Sequence, residues 1–312
     1  MGLFDRIRGN ALSRRDLAPD PALTMLTQAD ADTLRRLVSE AFAARGLEVS
    51  MAPDHARDAD GIEYGLWNLA AHCSSSGVPA QRWRQQVDGH VDRILTLMHG
   101  DKFDLSPAAI QDTIVVRLMD TGGLGPLPMD YAPEWMPGIR RCLFIDSLTA
   151  TTGLGDADAT ALAPLGPWYD RGLANLAALL HRAEMNVDRL EHEGRWFHCA
   201  MSDSIYTSSA PLVLPQVVGR LVPDADLSLG VLFCVPFRHQ FAFRVIDGPD
   251  SVLDALTLIP EFAALGYADG ISPLSPHVYL WRDGIVTQQT TWSDDRPIVT
   301  PDEYLQGILG RG

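Results

Sequence analysis

The stretch at residues 230–246, GVLFCVPFRHQFAFRVI, constrains the fold more than any other part of the chain. Two runs of large apolar residues flank one polar point, Arg238-His239. Because neighbouring side chains of a strand point to opposite faces, a continuous apolar run predicts a strand that is buried on both faces. Pro236 cannot donate a hydrogen bond to a strand ladder, so the first strand ends there. The sequence therefore predicts two buried strands joined by a turn that carries Arg238 and His239.

Apolar periodicity and turn residues predict the other elements. Helices are expected at 27–45, 79–99, 166–183 and 250–265, and strands at 47–52, 62–73, 139–148, 187–192, 195–203, 228–235 and 240–246. Hairpins are expected to turn at Glu193-Gly194 and at Asp283-Gly284, because these dipeptides suit tight turns. Long crossovers between parallel strands are not evident. The predicted fold class is therefore α+β, with mainly antiparallel sheets and packed helices.

Composition shifts predict the domain organisation. We expect an N-terminal arm at 1–26, a first α+β module at 27–100, a Gly/Pro-rich linker at 101–138, a second α+β module at 139–292 and a C-terminal extension at 293–312. The segment AAHCSSSGVP at 70–79 is echoed at 197–211, where FHCAMSDS is followed by SSAP. This echo raises the alternative that the two modules repeat one helix–hairpin–helix unit.

The charge of the chain restricts its partners. The 312 residues include 25 basic and 40 acidic side chains, which give a net charge of −15. Such a charge repels phosphate backbones, so we expect no nucleic-acid partner. The longest apolar run, Leu229–Phe237, is far shorter than the roughly 20 residues of a membrane span, and no secretory signal is present. We therefore expect a cytoplasmic protein without a transmembrane segment.

The basic N-terminal arm leaves one weaker alternative. Phe4 and Ile7 lie at helical spacing, next to Arg6 and Arg8. A short helix of this kind would allow attachment to a partner or to an acidic surface. A loosely ordered arm is the simpler interpretation.

Signatures of known chemistries are missing from the sequence. The four cysteines are scattered without a CxxC pair, which indicates buried thiols rather than a zinc site. Lys102 is the only lysine, and no glycine-rich phosphate loop precedes it. HExxH and G-x-S-x-G motifs do not occur. We therefore predict no metal, no cofactor and no catalytic residue.

Two polar segments remain as candidates for binding. SDSIYTSS at 202–209 combines hydroxyls with Asp203 and Tyr206. The alternative is that its Ser and Asp side chains only cap a helix and satisfy turn amides. Arg238 offers a fixed fork of donors for a carboxylate or phosphate, although Arg238 and His239 also fit a solvated hairpin tip.

Several segments resemble the uncharacterised bacterial YtpQ-like family, whose function is unknown. The resemblance covers residues 80–290 and rests on IVVRLMD (114–120), IRRCLFIDS (139–147), WYDRGLANLAAL (168–179), WFHCAMSDSIYTSSAPLVL (196–214), VLFCVPFRHQFAF (231–243) and ISPLSPHVYLWRDG (271–284). It implies a cytoplasmic α+β protein. It implies no activity and no catalytic residues.

Two functional hypotheses follow. The first is a non-catalytic module that binds another protein through an exposed sheet face or edge. The alternative is an enzyme of unrecognised type, such as a hydrolase, with a polar pocket near Asp203, Tyr206, Arg238 and His239. A deep pocket where several polar side chains converge would favour the enzyme, whereas a broad open sheet would favour the binding module.

Overall fold

The computed structural model describes residues 18–59, 63–99, 104–121, 128–146, 151–270, 272–293 and 296–310. The chain divides into two compact units, residues 1–102 and 103–312. The attachment residues proposed from the sequence, Phe4, Arg6, Ile7 and Arg8, lie outside the described residues.

The first unit packs helices on a small antiparallel sheet. Its described elements are α1 (Gln28–Ala43), β1 (Val49–Met51), β2 (His55–Asp58), β3 (Glu63–Gly65), α2 (Trp67–Ser75) and α3 (Arg84–His99). The α1 helix begins as predicted, because the Thr27 hydroxyl accepts a hydrogen bond from the Asp30 amide. Its apolar stripe is buried, and the Phe42 ring lies 4.8 Å from that of Tyr64. The sequence pattern thus builds the core of this unit directly.

Two predictions for the first unit are corrected by the structure. Residues 67–73 form helix α2 rather than the end of a strand, and their buried side chains Leu69, Ala70 and Cys73 follow a helical spacing. The last residues of the expected N-terminal arm belong to the core, because Leu23 and Leu26 are buried there. There Asp20, which is 4% exposed, binds Arg35 at 2.8 Å.

The described part of the second unit contains a six-stranded, a four-stranded and a two-stranded antiparallel sheet, together with several helices. Its described elements are α4 (Pro107–Ile110), β4 (Ile114–Asp120), β5 (Glu134–Met136), β6 (Ile139–Asp146), β7 (Thr151–Gly153), α5 (Asp156–Leu162), α6 (Gly166–Arg182), β8 (Asn186–His192), β9 (Arg195–Met201), a 3₁₀ segment (Thr207–Val213), α7 (Leu214–Leu221), β10 (Val231–Cys234), β11 (Gln240–Val245), α8 (Pro249–Asp269), β12 (Tyr279–Arg282), β13 (Ile285–Gln288), β14 (Thr290–Ser293), β15 (Arg296–Val299) and α9 (Glu303–Leu309). The predicted α+β class with antiparallel sheets is confirmed.

These elements form layers around the buried hairpin. The larger sheet has the order β13-β12-β10-β11-β9-β8, so the hairpin of residues 230–246 lies at its centre. Helices α8 and α9 cover one face. The other face packs against the 3₁₀ segment, α7 and the smaller sheet, in which β6 pairs with β4, β5 and β7. Helix α6 covers the outer face of the smaller sheet and approaches closely at Gly172, where a Cβ would lie 2.9 Å from Val116 Cγ2.

Three predictions for the second unit are corrected. The expected linker at 101–138 contains β4, whose seven residues all pair with β6. The expected C-terminal extension at 293–312 includes α9, whose Leu305 and Ile308 are buried in the core beneath α8. The alternative of a repeated unit loses its basis, because the echoed His-Cys pairs lie on helix α2 in one unit and on strand β9 in the other. Strand β4 was not predicted because Gly/Pro-rich sequence flanks it. Helix α9 was not predicted because it lies in a short polar segment at the end of the chain.

Helix α8 is longer than predicted and apolar. It continues through Gly266 to Asp269, and an 18-residue window within it reaches a mean hydropathy of 1.2. Length and composition alone would allow this helix to cross a membrane, which is weak evidence. In the fold, Val252, Ala255 and Ile259 are buried against the larger sheet, as expected of a core helix.

Candidate functional site

The structure places the two polar segments predicted from the sequence side by side. The Ser202 amide donates to the His239 carbonyl at 3.2 Å, and the Ser208 amide donates to the Arg238 carbonyl at 3.2 Å. The turn between β10 and β11 is therefore packed along the chain that follows β9. Arg238 and His239 are only partly buried, as is typical of a site that meets both core and solvent.

His239 is held in one orientation by both of its ring nitrogens. Arg238 Nε donates to His239 Nε2 at 2.8 Å, so Nε2 is the acceptor. His239 Nδ1 lies 3.1 Å from the Ser202 carbonyl and therefore carries the proton that it donates. Burial lowers the pKa of His239, and the positive charge of Arg238 lowers it further. His239 is thus a neutral support for Arg238, with no side-chain hydroxyl or thiol hydrogen-bonded to it among the described residues.

Tyr206 occupies the buried side of the same site. It is 5% exposed, and its hydroxyl lies 3.4 Å from Thr151 Oγ1, which donates to Asp146 Oδ1 at 2.7 Å. Burial raises the pKa of Tyr206 well above its usual range, although the Thr151 hydroxyl lowers it in part. The phenol therefore remains protonated and serves as a hydrogen-bonding group.

Arg117 is a member of this site that sequence reasoning missed. It lies in the middle of β4 opposite Cys142, and its guanidinium carbon is 5.5 Å from the centre of the Phe144 ring. Its Nε is buried without a hydrogen-bond partner. Burial lowers the pKa of Arg117 to about 10; the neighbouring Tyr206 acts in the opposite direction, the charge of Arg238 lowers it further, and the Asp146 carboxylate raises it in part. The guanidinium groups of Arg117 and Arg238 are therefore within electrostatic range of each other.

We call Arg117, Tyr206, Arg238 and His239 the two-arginine site. Apart from the Arg238 Nε bond to His239, neither guanidinium donates a hydrogen bond to any residue that the structure describes. Neither one forms an ion pair within that part of the chain. Desolvated guanidinium groups without acceptors are costly, and their planar forks match a carboxylate or phosphate. The arrangement is therefore suited to binding an anionic group.

The remaining candidates in the 202–209 segment have structural partners. Asp203 is exposed and acts on the site only through its charge, which raises the pKa of His239 slightly against the larger effect of burial. Ser202 Oγ accepts from the Ser204 amide at 3.1 Å. Ser209 Oγ accepts from the Leu118 amide at 3.0 Å and so satisfies the edge of β4. These hydroxyls satisfy backbone amides, which is the structural alternative given by the sequence.

The cysteines do not contribute to the two-arginine site. All four are free and buried. Burial raises the pKa of Cys73, Cys142 and Cys199 to about 11, which disfavours the thiolate. Within the described residues, no group of three or more His, Cys, Asp or Glu side chains could hold a metal ion.

A second arginine-rich region of the same unit is built differently. Arg244 and Asp254 are 6% and 8% exposed, and Arg244 Nη2 lies 3.4 Å from Asp254 Oδ2. The guanidinium carbon of Arg244 also lies 3.7 Å from the centre of the Trp196 ring. A cavity of about 300 Å³ adjoins this cluster, and its walls include His198 and Val222. Here the buried cation has both an acidic and an aromatic partner.

Comparisons with protein-family models, with curated proteins and with solved structures give no match to this chain.

Proposed function

We propose that this protein is a non-catalytic binding protein of the cytoplasm, and that its two-arginine site holds a carboxylate of a protein partner. The observation that supports this proposal is the pair of partly buried arginines, Arg117 and Arg238, without an acidic partner among the described residues. A bound carboxylate would supply the acceptors that the two guanidinium groups lack.

The charge of the whole chain favours a ligand with a localised charge. A net charge of −15 opposes the approach of a polyanion, whereas a single carboxylate on a neutral or basic partner meets less repulsion. The enzyme alternative has less support, because both ring nitrogens of His239 are already occupied. A general base requires a free nitrogen within hydrogen-bond reach of the reacting group. The resemblance to the YtpQ-like family stays a prediction.

Thermal unfolding with two matched probes tests the proposal. N-acetylglycine carries the carboxylate, and N-acetylglycinamide has the same shape without the charge. A ligand that binds the native state raises the unfolding temperature, so we expect a rise with the acid and none with the amide. In the Arg117→Met, Arg238→Met double variant the rise should vanish.

Two results would contradict the proposal. Equal effects of the acid and the amide would show that the charge is not recognised. A carboxylate effect that persists in the double variant would place binding elsewhere. Inorganic phosphate is the third probe, and stabilisation by phosphate alone would replace the carboxylate by a phosphate as the ligand. Turnover in a broad hydrolase screen that the double variant abolishes would favour the enzyme alternative.

A further inference from the structure

Strand β8 forms one edge of the larger sheet. It pairs with β9 along all seven residues, and no other described strand pairs with it. Six of its seven residues are exposed, and Val187 is partly buried. The strand contains neither proline nor glycine and has no bulge against β9. Such an edge presents a row of free amides and carbonyls that can pair with another strand.

The hairpin geometry defines which backbone groups face outward. Glu193 and Gly194 form the two-residue turn with φ of 53° and 79°, which is the type I′ arrangement. The flanking pair His192 and Arg195 therefore exchanges hydrogen bonds. Because the pattern alternates along an antiparallel ladder, the amides and carbonyls of Val187, Arg189 and Glu191 point away from β9.

This alternation limits how a second copy of β8 can pair antiparallel with the first. The two-fold axis must lie midway between the two copies of one residue. Only then do the outward-facing backbone amides and carbonyls of the two strands face each other. Centring the axis on Asp188, Arg189 or Glu191 places two identical charges opposite each other. Centring it on Leu190 places Arg189 opposite Glu191 twice and Asp188 opposite His192 twice. Opposite charges in directly facing positions stabilise a strand pair, and like charges destabilise it.

Apolar side chains continue the same surface on the α8 side of the sheet. Leu190 is opposite Phe197, whose ring lies 5.0 Å from that of Phe262 on α8. Leu190 is 36% exposed, Met201 on the same face is 43% exposed, and Leu265, one turn beyond Phe262, is 60% exposed. A second copy placed by the axis through Leu190 would bring its own α8 to this side. The exposed leucines would then be shielded from water.

We propose that β8 is a dimerisation strand, which pairs antiparallel with β8 of a second copy about a two-fold axis at Leu190. The two six-stranded sheets then form one continuous sheet of twelve strands. The interface is isologous, since each copy contributes the same residues. This proposal does not depend on the ligand of the two-arginine site.

Charge reversal and charge exchange test the register as well as the association. Sedimentation of the wild-type chain across a micromolar concentration series should show twice the mass of one chain. Glu191→Arg places arginine opposite arginine in both pairs and should weaken the dimer by at least tenfold. Adding Arg189→Glu to this variant exchanges the two charges, restores both opposite pairs and should recover the dimer. Asp170→Arg, on the exposed face of α6, makes the same change in charge and should leave the dimer intact.

The outcomes separate clearly. A wild-type chain that stays monomeric throughout the series overturns the proposal. A dimer that tolerates Glu191→Arg would be formed by another surface and also overturns it. If Glu191→Arg gives a monomer, circular dichroism should show the wild-type spectrum and confirm that the variant is folded. Failure of the doubly exchanged variant to dimerise would refute the Leu190 register.

Discussion

Arg117 is a partly buried and Arg244 a buried arginine of the second unit, and their surroundings differ. Arg244 has the Asp254 carboxylate at 3.4 Å and lies over the Trp196 ring. Arg117 has the Phe144 ring at 5.5 Å and donates no hydrogen bond to a described residue. Removing one member of a buried ion pair leaves the other charge uncompensated, whereas removing an unpaired buried charge relieves a cost. The comparison indicates that Arg244 serves the stability of the fold, and it accords with the proposal that Arg117 binds a ligand.

We expect the largest effect on stability from removal of the paired arginine, Arg244. Arg244→Met leaves Asp254 buried without its cation, and we expect the free energy of unfolding to fall by about 3–5 kcal/mol. Urea denaturation of the full chain measures this change. The Arg244→Met, Asp254→Leu double variant should recover much of the loss, because it removes both charges. A single variant as stable as the wild type would break the distinction between the two arginines.

Removal of the unpaired arginine, Arg117, should change the free energy of unfolding in the opposite direction. Arg117→Met replaces a guanidinium that has no ion-pair contact among the described residues by an apolar side chain of similar length, and we expect a gain of about 1 kcal/mol in the free energy of unfolding. The same urea experiment measures it. A clear loss of stability would show that Arg117 has a structural role and would weaken the case for a ligand. The gain should occur together with loss of the response to N-acetylglycine.

The pH response of His239 sharpens the description of the two-arginine site. Burial and then the charge of Arg238 lower the pKa of His239, so the native state resists its protonation. Its neutral form therefore contributes stability that is complete above the unfolded value of about 6.5 and is lost as the pH falls below it. Arg238→Gln should raise the pKa of His239, as measured by NMR titration of the ring. His90 in the first unit, whose pKa is lowered by its own burial to about 4, is the control and should not change.

The smallest effect is expected at an exposed pair. Arg36 and Glu40 are four residues apart on α1, and their side chains are 59% and 43% exposed. Solvent and salt screen such a pair. Arg36→Met should leave the urea midpoint unchanged within error. A loss as large as that of Arg244→Met would show that burial does not decide what an arginine contributes.

The elements that carry a pattern within their own residues could be predicted from the sequence. The stripe from Leu34 to Phe42 predicted α1, and the turn residues Glu193-Gly194 and Asp283-Gly284 predicted two hairpins that the structure contains. The prediction of a strand over residues 67–73 was wrong, because an almost continuously apolar segment matches both a strand and a helix. Strand β4 was not predicted, because the predicted linker included both this strand and the Gly/Pro-rich sequence that follows it.

The candidate site was only partly readable for a related reason. Asp203, Tyr206, Arg238 and His239 were predicted from local composition, and the structure brings these two segments together through backbone hydrogen bonds. Arg117 is 121 positions before Arg238, and no local pattern connects them. Its signal was an arginine in the middle of IVVRLMD, because a charged residue within a buried strand requires an explanation. That signal has meaning only once β4 is recognised as a strand.

The strand order of the larger sheet has a consequence for synthesis of the chain. The central strand β10 pairs with β11 immediately, but it pairs with β12 only after residues 246–278, which include α8, have been synthesised. Leu305 and Ile308 complete the core from α9. During translation, the face of this hairpin that packs against α8 and α9 therefore stays incompletely covered until α9 has been synthesised. This interval is the time when association with chaperones would matter most, and a slow codon run before residue 300 would lengthen it.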